Sequence, residues 1–107
     1  MQIEIEKQGQ QCLVKMAGDV TLDDSLELKR KLLDAVSTST EIEVDVSQVS
    51  DIDTAGFQLL ILAKREAVLR QKKFRLIKHS QPVVEMMVTY NLASYFGDPL
   101  VLPAKTS

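Results

Sequence analysis

Tryptophan is absent, glycine and proline supply only four and three residues, and a single cysteine and a single histidine stand among 107 positions. So little Gly and Pro argues against a collagenous or low-complexity chain. The lone Cys12 has no partner for an internal disulfide. With only Cys12 and His79 of their kinds, no set of side chains has zinc-site spacing, and no metal or cofactor is expected. No apolar run approaches the roughly 18 residues that suggest a membrane-spanning helix. The opening Met1-Gln2-Ile3-Glu4 lacks the basic, then apolar, then small-residue order of a signal peptide, so a cytoplasmic protein without direct membrane insertion is expected. Neither GxGxxG nor GxxxxGK[ST] occurs, which leaves nucleotide chemistry without a phosphate loop. The net charge is −2 and there is no dense Lys/Arg stripe, so a nucleic-acid partner is not expected.

What remains is an ordinary globular composition, 45% hydrophobic and 26% charged. A chain of this length forms one domain, spanning residues 1–107, and buries roughly 65% of its unfolded surface. Gln2 to Lys7 and Gln11 to Ala17 alternate apolar and polar residues around the Gly-containing link Gln8-Gly9-Gln10, a pattern that predicts a hairpin. After Gly18 the period becomes helical. Leu22, Leu26, Leu33 and Val36, widened by Leu28 and Leu32, predict an amphipathic helix ending near Ser37 to Thr40. Thr21 and Asp24 have the spacing of a capping box at its start. Glu41 to Val46 alternates strictly and reads as a third strand, followed by a polar loop from Ser47 to Asp53. Thr54 to about Gln71 predicts the longest helix, with Phe57, Leu60, Ile61 and Val68 as its buried stripe. Lys64, Arg65, Arg70, Lys72 and Lys73 are expected to complement the negative end of its dipole. Phe74 to Lys78 is a strand candidate. Pro82 opens a last helix, filled by Val83, Met86, Met87 and Tyr90 to about Asn91. Residues 92–107 have room for a short turn or an edge strand, with the last few frayed. The order β-β-α-β-α-β-α places the chain in the α/β class.

Few residues invite chemistry. A cysteine in a strand is usually buried and inert, and His79 precedes a helix start, where a surface or capping role suffices. No catalytic residue is expected and the chain does not read as an enzyme. The segment Ser50-Asp51-Ile52-Asp53-Thr54-Ala55-Gly56 stands out instead. Asp53 is placed to cap the long helix, and Ala55 and Gly56 are small enough either to admit a partner's backbone or to relieve internal crowding. Thr54 brings a hydroxyl to a helix N-terminus, where unpaired N–H groups and the dipole tolerate a phosphate. Phosphorylation there would add about −1.5 to −2 charges beside Asp51 and Asp53.

The strand Glu41 to Val46, the loop Ser47-Gln48-Val49-Ser50, the motif Asp53-Thr54-Ala55-Gly56 and the apolar Phe57-Gln58-Leu59-Leu60-Ile61-Leu62 resemble the STAS family, named for sulfate transporters and anti-sigma factor antagonists. The resemblance spans essentially the whole chain. It implies a STAS (SpoIIAA-like) fold, a mixed β-sheet of four to five strands with helices packed on it. It implies a bacterial regulatory module that binds a Ser/Thr kinase-type anti-sigma factor or related signalling kinase, is phosphorylated at Thr54, and is reset by a phosphatase. The contact surface so implied comprises Ser50, Asp51, Asp53, Thr54, Ala55, Gly56 and Phe57. Ala55 departs from antagonists that carry a second hydroxyl at this place. The STAS subunit of Mla-type phospholipid-transport ABC complexes, which binds an ATPase subunit, shares the Asp-Thr-small-Gly motif and is the alternative.

Overall fold

In the computed structural model, residues 1–92 are described, and the expected turn or edge strand and frayed end at residues 93–107 lie outside them. The chain opens with β1 (Gln2–Gln8) and β2 (Gln11–Val20), which pair antiparallel around a two-residue turn. Gly9 takes φ 61° there, a left-handed conformation that glycine adopts without a Cβ penalty. A 3-10 turn (Leu22–Asp24) leads into α1 (Ser25–Thr38). Then come β3 (Glu41–Ile52), α2 (Thr54–Leu69), β4 (Lys73–Ile77) and α3 (Gln81–Thr89). The sheet order is β1-β2-β3-β4, with β2, β3 and β4 mutually parallel. Parallel neighbours require a crossover, and α1 and α2 supply the two that are needed. The α/β order and the mixed sheet expected from the sequence are both present, with four strands among the described residues.

One face of the sheet is the core. Cys12, Val14 and Met16 of β2, Ile42, Val44 and Val46 of β3, and Phe74 and Leu76 of β4 are all buried. They meet α1 through Leu28, Leu32, Ala35 and Val36, and α2 through Phe57, Leu60, Ala63 and Ala67, while Val83 and Met87 of α3 join the same cluster. The other face is polar and half-exposed. Glu41 stands opposite Lys73 and Glu43 opposite Arg75 in the β3–β4 register, and both pairs are ion-paired. Exposed pairs of this kind contribute about 0–1 kcal/mol each, so burial on the opposite face holds the fold.

Several expectations need correction. The polar loop expected at Ser47 to Asp53 is strand as far as Ile52. Two bulges conceal it. From Lys15↔Asp45 to Ala17↔Gln48, β3 advances three residues while β2 advances two, and from Gly18↔Val49 to Asp19↔Asp51 it advances two against one. Each extra residue shifts the alternation, so Val46, Val49 and Ile52 stay inward at a spacing that no regular strand has. In α1 the buried stripe is Leu28, Leu32, Ala35 and Val36, whereas Leu22 and Leu26 are 64% and 80% exposed. Two leucine stripes at helical spacing coexist in that segment, and spacing alone does not choose between them. In α2 Phe57 and Leu60 are buried as expected, but Ala63 and Ala67 complete the buried face, leaving Val68 exposed and Ile61 half-buried. Tyr90 likewise lies outside the core.

Of the basic residues expected to complement the dipole of α2, none lies in its last turn, and Arg70 at the C-cap pairs with Glu66. Lys64 donates to the Phe74 carbonyl at 2.9 Å and Lys72 to the Val36 carbonyl, tying α2 to β4 and the connection after it to α1. The Thr21–Asp24 pair does cap, with the Asp24 carboxylate accepting the Thr21 amide at 2.9 Å, although it caps the 3-10 turn rather than α1 itself. That bond holds the Asp24 carboxyl below its usual range.

The two leucine stripes of α1 are separable by experiment. Leu32→Ala should cost about 2–5 kcal/mol in urea unfolding, through lost burial and a residual cavity. Leu26→Ala should stay within about 0.5 kcal/mol of the parent, as for most surface changes.

Candidate functional site

Where β3 ends, Asp53 turns the chain into α2. Its backbone is extended (φ −91°, ψ 176°), as an N-cap requires. Its amide donates to the Val20 carbonyl at the end of β2 at 3.0 Å. The carboxylate is used twice. Oδ1 accepts the Gly56 amide at 2.8 Å, capping α2, and Oδ2 accepts the Leu22 amide at 2.9 Å, fastening the 3-10 turn that precedes α1. One side chain therefore joins the starts of two consecutive helices at one end of the sheet.

Gly56 is buried against β2. A Cβ built on it would lie 2.8 Å from Val20 Cγ1, 3.2 Å from the Val20 carbonyl oxygen and 3.3 Å from Ile52 Cγ1. Relief of internal crowding accounts for this glycine, and approach by a partner's backbone is not needed to explain it. Phe57 is buried as well and belongs to the core. Of the seven positions expected to form a contact surface, Ser50, Asp51, Asp53 and Thr54 are exposed and Ala55 is half-exposed, while Gly56 and Phe57 support them from beneath. Ser50 donates to Asp19 Oδ1 at 2.7 Å, and Asp51 Oδ1 accepts the Ile52 amide at 2.9 Å, so the bulged end of the sheet is internally braced.

Thr54 occupies the first position of α2 with an exposed side chain. Asp53 engages the Gly56 amide through its carboxylate and the Phe57 amide through its carbonyl, at 3.0 Å for the latter. The Thr54 and Ala55 amides are the first-turn donors left over among the described residues, and they are free to face an anion. The hydroxyl is thus presented to solvent by a helix start whose geometry is secured without it.

The other candidates lie apart. Cys12 stands opposite Ile42 near the start of β3, at the far end from Asp53. It is buried, which pushes its thiol up, although the Ser39 hydroxyl partly opposes this. A thiol so placed is a poor nucleophile. His79 is half-buried in the connection to α3, beside the Ser80 N-cap. Among the described residues no group of His, Cys, Asp or Glu is arranged to hold a metal, and no helix is long and apolar enough to cross a membrane. The site offers a braced surface carrying the exposed Thr54 hydroxyl, with no paired base and nucleophile among the described residues of the site.

Leu22 and Leu26, which the periodicity assigns to the core, are instead exposed, and Leu22 is tied to Asp53 through its amide. Asp19 joins it through the β2–β3 register, opposite Asp51. The strict β alternation ends at Val46, and that break was the one available signal that the strand bends toward a site.

Comparison with known proteins places this geometry in context. The model of the family described as "Mlab, STAS domain" matches residues 3–102. Among solved structures, the anti-sigma factor antagonist SpoIIAA in its unphosphorylated form is 16% identical, with 97% of this chain and 90% of that one covered at a TM-score of 0.72. An anti-sigma factor antagonist from Mycobacterium paratuberculosis is 14% identical, with coverages of 89% and 81% and a TM-score of 0.78. A variant of RsbS from Moorella thermoacetica is 21% identical, with coverages of 95% and 89% and a TM-score of 0.74. At these identities the likeness is one of fold.

Three substitutions test the construction of the site. Gly56→Ala should destabilise the protein by about 1–3 kcal/mol in chemical unfolding, because Val20 and Ile52 must move to admit the methyl group. Asp53→Ala should cost about 1–3 kcal/mol by leaving two amide donors without their acceptor, with Asp53→Ser recovering part of the loss as an alternative N-cap.

Proposed function

The chain belongs to the STAS family, and from that premise we propose that it is a non-catalytic protein-interaction switch of the anti-sigma factor antagonist kind, docking through the surface around Thr54. Its partner is a Ser/Thr kinase-type anti-sigma factor or a related signalling kinase, and phosphorylation of Thr54 releases that partner until a phosphatase resets the site. The observation that carries this reading is the exposed Thr54 hydroxyl on a helix start already capped by Asp53. A phosphate added there meets the two free amides of the first turn, so the fold accommodates it. Facing it across a flush contact, a partner would have to desolvate a dianion, at a cost of several kcal/mol unless it supplied compensating donors. The same modification is therefore tolerated within the domain and disruptive between domains. The likeness of the fold to SpoIIAA, which has been solved in unphosphorylated and phosphorylated forms, supports this economy of change.

A second reading is favoured by the name of the matching family model. On it the chain is the STAS subunit of an Mla-type phospholipid-transport ABC complex and uses the same surface to hold an ATPase subunit constitutively. Ala55, where a second hydroxyl would suit a phosphorylated site, is in keeping with it.

The readings separate in a binding assay with purified candidate partners. For the switch, Thr54→Glu should weaken binding roughly tenfold or more, about 1.4 kcal/mol, while Thr54→Ala retains it. Incubation with the kinase and ATP should add a single phosphate to the peptide holding Thr54. Equal binding by both variants, without phosphate incorporation and with stable co-purification of an ATPase, would select the transporter subunit.

A further inference from the structure

We propose that the kinase acting on Thr54 reads the folded domain, taking the end of β3 and the start of α2 as one rigid surface in a shallow active site, and does not bind the acceptor within an extended peptide. The inference rests on the reading of Thr54 as a phosphorylated switch and adds how the modifying enzyme recognises it. An enzyme that threads its substrate as a strand needs several residues on each side of the acceptor with their main-chain groups unpaired. Around Thr54 those groups are engaged. Before it, Asp51 and Ile52 are in register with Asp19 and Val20 of β2, and the Asp53 amide donates to the Val20 carbonyl at 3.0 Å. After it, the Gly56 and Phe57 amides donate to the carboxylate and the carbonyl of Asp53, at 2.8 and 3.0 Å.

Side chains hold the segment as firmly as the backbone does. Ile52 and Phe57, which flank Thr54, are 4% and 1% exposed and belong to the core. The first turn of α2 rises about 1.5 Å per residue where a strand rises about 3.3 Å, so a cleft shaped for an extended chain is out of step with the residues after Thr54. Pulling the segment straight would withdraw both side chains from the core and strip the Asp53 carboxylate from the Gly56 and Leu22 amides, which a small local opening does not achieve. Without such opening an enzyme reaches the exposed Ser50, Asp51, Asp53 and Thr54 and the half-exposed Ala55. In the transfer, a bond forms between Thr54 Oγ1 and the γ-phosphorus of a nucleoside triphosphate as the bond from that phosphorus to the β–γ bridging oxygen breaks. The nucleoside diphosphate leaves, and the hydroxyl proton goes to a base on the enzyme, because both oxygens of the adjacent Asp53 are occupied by amides.

The test measures transfer of labelled γ-phosphate from ATP to the full chain by purified kinase-type anti-sigma factors of the source organism, with mass spectrometry locating the phosphate. The comparator is the full chain carrying Val44→Asp and Leu60→Asp, which places two carboxylates in the core and so unfolds it, while every residue from Ser47 to Gln58 is unchanged. Circular dichroism records the folded fraction of each variant. The unfolded chain should be labelled at Thr54 about a hundredfold more slowly than the parent, since nothing then positions the acceptor. Leu32→Ala, which weakens the core from α1, should be labelled no faster than the parent. Equal or faster labelling of the unfolded chain, or labelling of Leu32→Ala above the parental rate, would overturn recognition of the folded surface and leave Thr54 as the switch. No phosphate on the folded parent from any of these kinases would overturn the switch reading and the inference with it.

Discussion

Everything distinctive about this molecule depends on the two oxygens of the Asp53 carboxylate. One closes the first turn of α2 through Gly56 and the other holds the start of the α1 segment through Leu22. Charge-assisted bonds to backbone amides are among the stronger hydrogen bonds a fold can use. Here they are spent on a joint, where two chain segments distant in sequence must agree on one geometry. Because the joint is complete without Thr54, the hydroxyl next to it is available for chemistry that leaves the fold in place.

The carboxylate reaches both amides because the sheet delivers it there. Two bulges in β3 keep Val49 and Ile52 inward while bending the strand's end alongside β2, and the Asp53 amide then closes on the Val20 carbonyl. Gly56 lets α2 begin directly over Val20 and Ile52, a position that any larger residue would contest. Core packing, backbone irregularity and the missing side chain serve a single outcome, a braced surface where the parallel strands β2 and β3 end. Ligand surfaces in such sheets commonly lie at the carboxyl ends of the strands.

The element order, the hairpin, the helix starts at Asp53 and Pro82 and the central motif were legible from periodicity and capping chemistry. The last six residues of β3 were not, because a bulge changes the phase of burial and a period-2 test then reports a loop. The buried stripe of α1 was misassigned because Leu22 and Leu26 fit the helical period as well as Leu28 and Leu32 do. Which stripe faces inward is settled by the neighbours each would meet. Alanine carries almost no signal in a pattern weighted by side-chain size, so the buried role of Ala63 and Ala67 became visible only when α2 was seen close against its neighbours. Within the motif, the capping role of Asp53 followed from residue type and position. Its second bond, to Leu22, joins residues 31 apart and has no local signature.

The account therefore requires that chemistry at Thr54 alter the surface while the joint beneath it persists. Amide hydrogen exchange at Leu22 and Gly56, compared between the parent chain and its stoichiometrically phosphorylated form, tests this most directly. Protection of both amides should be unchanged by the phosphate while partner binding is lost. Collapse of protection at Leu22 and Gly56 on phosphorylation would contradict the account, since release would then follow from opening of the joint and not from a changed surface.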